Sequence, residues 1–301
     1  MSDGDVVDRI AEIVIDDAVE HAEGPIWDGR DDTLLWVDQY RGGIRRARRA
    51  ASGALVECER FDLGMAVGAV VPAADGWLVA AGDGFHRLAR DGRLSPIADV
   101  LPDDGVRRRM NDGKCDPQGR FWAGSMAYSK QRGAGALYRL EADIPQLVLD
   151  GVTISNGLAW TPDGGTMFYI DTPTRTVRRF RVSPAGLSDG EVVVSIPPEQ
   201  GAPDGMCIDA DGCLWVALWG GGAVQRYSAD GRLLERVHVG AAQVSSCCFG
   251  DSDGSTLFIT TSQEGYDERA LAADPDAGKI FAVRTGTSAG PAAEYLVSSG
   301  D

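Results

Sequence analysis

Histidine is scarce in this chain of 301 residues: only His21, His86 and His238 occur, far apart from one another. That scarcity excludes the paired histidines of a zinc-hydrolase helix and leaves packing or surface roles as the simplest reading of each. His21, two residues before Glu23, is the one placed to brace a neighbour. Basic charge is short as well. Lysines and arginines number 29 against 45 acidic residues, a net charge of −16, and the arginines occur singly or in short runs such as Arg107-Arg108-Arg109. A nucleic-acid partner or an anionic membrane surface would require the opposite balance. Apolar runs long enough to span a bilayer are absent, and MSDGDVVDRI has no basic stretch followed by an apolar one, so a soluble, cytoplasmic protein is expected. Helical periodicity over ten or more residues is also missing. No G-x-S-x-G elbow for a serine nucleophile is read, and GGG at 220–222 does not lie between a strand and a helix, so it is no phosphate loop. The six cysteines (Cys58, Cys115, Cys207, Cys213, Cys247 and Cys248) form no dense framework and read as free, mostly buried thiols.

What the chain does have is a repeat. A short strand rich in aromatic and β-branched residues recurs as TLLWVDQ (33–39), GWLVAAG (76–82), GRFWAGS (119–125), GTMFYID (165–171), GCLWVAL (212–218) and STLFITT (255–261). Most copies follow an Asp-Gly or related turn. With Trp36, Leu78, Trp122, Tyr169, Trp215 and Phe258 as markers, the spacing is about 42 to 47 residues, in the propeller range. Each unit continues into a further strand and turn, most plainly in GGGAVQRYSADGRLLERV (220–237). Four strands per unit, six times over, predict an all-β fold, a six-bladed β-propeller. One domain spanning 1–301 is expected, with residues 1–8 frayed and RIAEIVIDDAV (9–19) closing the ring beside KIFAVR.

The strand before each turn recurs too, as EGPIWD (23–28), VGAVVP (67–72), DGKCDP (112–117), NGLAWTP (156–162), DGMCID (204–209) and CCFGD (247–251). The first strand of a propeller blade lines the central channel, so equivalent residues face one axis. Those residues read as Glu23, Val67, Asp112 with Asn111 beside it, Asn156, Asp204 and Cys247. Alone, Asp-Gly, Asn-Gly or Glu-Gly is a common turn former; a shared place in the repeat is what sets Glu23, Asn156 and Asp204 apart. Carboxylates clustered at a channel end repel one another unless a cation sits among them. An oxygen-only donor set suits Ca²⁺, Mg²⁺ or Mn²⁺ first and admits Zn²⁺. Three protein ligands leave coordination positions for water and substrate.

The motifs AEGPIWD (22–28), RMNDGKCDPQGRFWAGSM (109–126), GALYRL (135–140), SNGLAW (155–160), PDGMCIDADGCLWVALWGGG (203–222) and SSCCFG (245–250) resemble the regucalcin (senescence marker protein)/gluconolactonase family along most of the chain. The resemblance implies a propeller that hydrolyses sugar lactones with one divalent metal ion, Ca²⁺ or Zn²⁺ foremost, with Mn²⁺, Mg²⁺ or Fe²⁺ as alternatives. Carried over by motif, it places metal ligands on Glu23, Asn156 and Asp204, the trio read from the repeat. Substrate contacts fall on Arg109 and Asn111, and Asp112 supports the ligands or holds a water. The chain departs from the family at GSMAYSK, where Tyr128 or Ser129 stands near a position that carries an acidic sugar contact in regucalcin-like members, and the following loop carries Lys130 and Arg132.

Opening a lactone needs an activated water, a polarised carbonyl and a stabilised oxyanion. Asp204, a ligand by this reading, is also the proposed base that takes the water's proton. Trp219 is open to two readings, pocket wall or packing between blades. Two rival functions keep the same fold: a phosphotriesterase of the related propeller type, and a calcium-binding propeller without catalysis. The second leaves Arg109 and Asn111 beside the trio without a purpose.

Overall fold

The computed structural model describes residues 6–184, 186–290 and 294–296. Six antiparallel sheets surround a central channel, and each has its first strand innermost. Those inner strands are Ala22–Asp28, Val67–Ala73, Arg108–Cys115, Ser155–Trp160, Ala202–Ile208 and Val244–Gly250, and they define blades 1 to 6. The expected six-bladed β-propeller is therefore the fold.

The ring closes as expected, with an addition. Glu12–Ile15 pairs antiparallel with Ile280–Arg284 and becomes the outer strand of blade 6, so chain start and chain end share one sheet. Ahead of it, Val7–Ile10 lies parallel to Leu233–His238 as a fifth strand on blade 5. Val7 and Asp8 are thus paired with Glu235 and Arg236 rather than frayed, while residues 1–5 lie outside the described residues. One short helix, Glu268–Ala273, is capped by the Asp267 side chain accepting from the Ala270 amide; among the described residues no helix is long and apolar enough to cross a membrane.

The buried apolar residues fall into clusters, each joining two adjacent blades. Blades are held by face-to-face packing, so the marker residues matter. Leu78, Trp122, Trp215 and Phe258 all face the next blade. Two markers are corrected by one residue: Leu35 and Phe168 face the next blade, whereas Trp36 and Tyr169 face the preceding one. A strand alternates faces at every residue, so a shift of one exchanges the two interfaces.

A second repeated device fastens the blades from below the inner strand. Asp209 is buried and accepts from the indole Nε1 of Trp215 at 2.9 Å, from Nε of Arg226 at 2.8 Å and from the amides of Asp211 and Cys213, each at 2.9 Å. Asp116 does the same with Trp122 and Arg120 in blade 3. Removing the carboxylate leaves a buried indole donor and two turn amides without their acceptor, and the part-buried Arg226 with only the exposed Asp211. Asp209→Ala is therefore expected to cost about 3–5 kcal/mol in chemical denaturation. Asp211→Ala, whose side chain is 64% exposed although it pairs with the same arginine, is expected to cost less than about 1 kcal/mol.

All six cysteines are unpaired, and only Cys58 is exposed, in line with the reading of free thiols.

Candidate active site

Each inner strand carries a register irregularity near its start, at Glu23/Ile26, Val67/Ala69, Met110/Gly113, Asn156/Leu158, Pro203/Met206 and Val244/Ser246. A bulge re-aims side chains away from the sheet ladder. It is at these bulges that Glu23, Asn111, Asn156 and Asp204 turn into the channel mouth. The glycines that follow are not turn glycines. A Cβ on Gly157 would sit 2.7 Å from the Asp204 carbonyl oxygen, and one on Gly205 would sit 2.1 Å from Ser246 Oγ in the next blade. Inner strands converge too closely there for a side chain, which gives Asn156-Gly157 and Asp204-Gly205 a packing reason, whereas Gly24 after Glu23 has room for a Cβ and is favoured by its left-handed backbone, φ 50°.

The bulges also correct two of the six channel positions. In blade 3 both Asn111 and Asp112 leave the ladder, but Asn111 lines the pocket and Asp112 does not. Asp112 is buried, accepting from the Gly113 amide at 2.8 Å. In blade 6 the residue skipped by the ladder is Ser245, whereas Cys247 pairs with Ile259 and packs against blade 5, its Sγ 3.7 Å from that of Cys207. Val67 faces its neighbouring blade as core.

The pocket at this mouth has a volume of about 100 Å³. It is far smaller than the roughly 300–1,000 Å³ of sites for drug-sized ligands and suits one small ring. Glu23, Asn156 and Asp204 line it together with Arg109 and Asn111. The Asn156 amide nitrogen donates to Thr172 Oγ1 at 2.9 Å, which turns its oxygen towards Asn111, 3.5 Å away. Asn111 is held from three sides: its oxygen accepts from Arg109 and from Gln39 Nε2 at 3.2 Å, and its nitrogen donates to the Ser155 carbonyl at 2.7 Å. Arg109 is fully packed, spanning Asn111 and the Tyr40 hydroxyl at 3.1 Å, and its Nε has no hydrogen-bond partner.

The electrostatics are those of an anionic cluster short of positive charge. Burial, then the charges of Asp204 and Asp112, pushes the Glu23 carboxyl well above the ordinary range. Burial, then Asp112 and Glu264, does the same to Asp204. Asp112 is raised by burial and partly relieved by Lys114. Arg109 is the cation that opposes both shifts at the pocket. No three His, Cys, Asp or Glu side chains among the described residues close on one point. The trio is instead two carboxylates and an amide oxygen, and buried, mutually repelling oxygens are the chemistry a divalent cation satisfies.

The rest of the wall comes from the ends of second strands and the loops beyond them: Tyr40, Met126, Lys130, Thr172, Trp219 and Glu264. Tyr40 and Glu264 carry no signal in the inner-strand repeat. They lie just beyond the second strands, Tyr40 directly after VDQ and Glu264 two residues after TTS, so reading the residues after VDQ, GSM, IDT, ALW and TTS side by side brings both into view. Trp219 is a pocket wall, with its ring centroid 5.5 Å from that of His21. His21 is buried in the same wall, hydrogen-bonded through Nδ1 to Ser262 Oγ at 2.6 Å, and burial together with Arg109 pulls its pKa down to about 3. Tyr128 stays outside, its ring covered by Arg107. The reading that no G-x-S-x-G string appears is corrected, since GLSDG (186–190) and GDSDG (250–254) have that form, but Ser188 and Ser252 are exposed and no helix follows either, so neither is a nucleophile elbow.

Fold and site define a class: a six-bladed propeller with a small, acidic, arginine-backed pocket at one mouth of its channel. Comparison with known proteins places it further. Residues 21–263 match the family described as SMP-30/Gluconolactonase/LRE-like region. The chain is 37% identical to regucalcin of Danio rerio over 280 residues, covering 90% of this chain and 93% of that one. It is 34% identical to a Bacillus subtilis protein whose name designates it a candidate sugar lactone lactonase, YvrE, covering 88% of this chain and 91% of the other. The crystal structure of a calcium-binding protein, regucalcin from Agrobacterium tumefaciens, superposes with a TM-score of 0.89 at 26% identity, covering 97% and 99% of the two chains. The chain belongs to the SMP-30/gluconolactonase/LRE-like family.

Proposed function

We propose that this protein is a divalent-metal-dependent lactonase that opens a sugar lactone of the aldonolactone type to its acid. The observation that carries the reading is the pair of buried carboxylates, Glu23 and Asp204, gathered with the Asn156 amide in a pocket backed by Arg109 and Asn111. Membership of a family described by gluconolactonase, and likeness to a relative named for sugar lactones, support the substrate class. The calcium-binding regucalcin supports Ca²⁺ as the cation, and the oxygen donor set also admits Zn²⁺.

Glu23, Asn156 and Asp204 would hold the ion, which when bound supplies Lewis-acid polarisation of the lactone carbonyl and activation of water. Asp204 faces the pocket and, kept ionised by the cation beside it, would take the proton of the attacking water. Arg109, fixed in place by Tyr40 and Asn111, presents a rigid donor fork to sugar hydroxyls and to the carboxylate that forms on ring opening. Met126, Ile154 and Trp219 supply apolar wall that limits bulk water. Asp112 acts through the charge it places behind the carboxylates.

The test is acid release, followed with a pH indicator, from a panel of 1,5- and 1,4-aldonolactones by chelator-stripped protein with each metal restored in turn. Metal-dependent release that Glu23→Ala abolishes is the expected outcome. Turnover of an organophosphate in place of lactones would make the protein a phosphotriesterase, and turnover of neither would leave a binding propeller.

A further inference from the structure

One pair of side chains in the pocket is explained neither by holding a cation nor by attacking a carbonyl. Lys130 and Glu264 come from blades 3 and 6, on opposite sides of the channel, and meet at 3.1 Å between Nζ and Oε1. Lys130 sits in a left-handed backbone conformation, φ 56°, at the end of a turn closed by its own amide on the Ala127 carbonyl at 2.9 Å. A residue with a side chain adopts that conformation at a cost, and the cost is met where the surroundings demand it. Here the turn carries the ammonium across the mouth.

Glu264 is the more constrained partner. Oε1 accepts from the Tyr40 hydroxyl at 3.0 Å, and that hydroxyl accepts in turn from Arg109. Its backbone is pinned as well, the amide donating to Ser262 Oγ at 2.9 Å and the carbonyl accepting from Gln243 Nε2 at 3.2 Å. Oε2 makes no hydrogen bond among the described residues: His21 Nδ1 lies 4.0 Å away, and that nitrogen is occupied by Ser262. A carboxylate has about four acceptor sites and a lysine three donors, so most of this pair's capacity is unused. Burial pushes the Glu264 carboxyl up, yet Lys130 and the Tyr40 hydroxyl help hold it below the ordinary glutamate value, so it is an acceptor at neutral pH.

We infer that Glu264 and Lys130 are specificity-determining residues that read hydroxyl groups of the bound ring. This rests on the proposed lactonase reading for the reaction itself. A ring bearing several hydroxyls can donate to Oε2 of Glu264 and accept from Lys130 Nζ, whereas an unsubstituted lactone desolvates both and gives nothing back. A pocket built to pair substrate hydroxyls rejects the bare analogue far more strongly than an apolar pocket rejects a missing methylene.

The experiment compares the wild type with Glu264→Gln and Lys130→Met, all metal-restored and checked for an unchanged melting temperature. Two lactones, D-galactono-1,4-lactone and γ-butyrolactone, are followed by acid release. A ring polyol without a carbonyl, 1,5-anhydro-D-glucitol, is titrated by calorimetry. Each variant is expected to raise KM for the aldonolactone about tenfold to a hundredfold, the effect of one hydrogen bond to a charged group, with kcat changed less than about threefold. The aldonolactone loses at least about tenfold more in kcat/KM than γ-butyrolactone does, so discrimination between the two falls, and polyol affinity falls by the same factor as KM rises. Wild-type discrimination between the lactones in both variants would overturn the inference while leaving the lactonase reading intact. Should the wild type open neither lactone, that reading fails and the titration decides alone: polyol binding lost in the variants upholds the pair's role, and binding absent from the wild type or equal in all three proteins overturns it.

Discussion

Replacing Asp204 by Asn is expected to lower kcat for lactone opening by about a thousandfold. The change keeps the size of the side chain and one of its oxygens but removes a charge that the fold has buried in the channel mouth. If Asp204 takes the proton of the attacking water, its loss removes a general base, worth about 10²–10⁴ in rate, and kcat and kcat/KM fall together because the interaction exists only in the transition state. If Asp204 is a ligand alone, metal affinity falls instead, and rate returns when the metal concentration is raised. Measuring kcat against metal concentration for the variant separates the two roles. Full turnover at unchanged metal affinity removes Asp204 from the chemistry.

Chelation of the wild-type protein is expected to abolish acid release and to lower the melting temperature by about 5–10 °C. Beyond the effect of burial, Asp204 and Asp112 push up the pKa of Glu23 and Asp112 pushes up that of Asp204, so the unliganded fold carries a repulsion that a divalent ion relieves. An ion present at a thousand times its dissociation constant stabilises the folded state by about 4 kcal/mol, which a domain of this size registers as several degrees. Glu23→Ala should melt at the same temperature with and without metal, because one of two charged ligands is gone. A wild-type melting curve indifferent to both chelator and added ions would remove the metal from this site.

Some of this architecture is visible in linear order for a simple reason. Strand-turn-strand units of constant length repeat the same side-chain chemistry at the same offset, so TLLWVD, LWVALW and TLFITT align without any knowledge of their neighbours. Glu23, Asn156 and Asp204 stand out by the same logic, since three oxygen donors at one place in the repeat must converge if the repeat closes. Their common placement in one pocket follows from closure, and Glu12–Ile15 beside Ile280–Arg284 accomplishes it.

The finer assignments depend on hydrogen-bond register, which spacing does not reveal. The bulge in blade 3 decides that Asn111 lines the pocket and Asp112 does not, and the bulge in blade 6 takes Ser245 rather than Cys247 out of the ladder. A one-residue offset likewise sends Trp36 and Tyr169 to the opposite interface from Trp122 and Trp215.

By itself, then, the sequence determined the number of blades, the absence of long helices and the oxygen-donor trio, because these depend on composition and on a period that every unit shares. Only the tertiary structure decided that Lys130 from blade 3 meets Glu264 from blade 6, that Tyr40 joins Glu264 to Arg109, and that His21 lies buried in the same wall. Those contacts join residues from different blades, and their partners are chosen by how the blades converge at one mouth of the channel rather than by anything periodic along the chain.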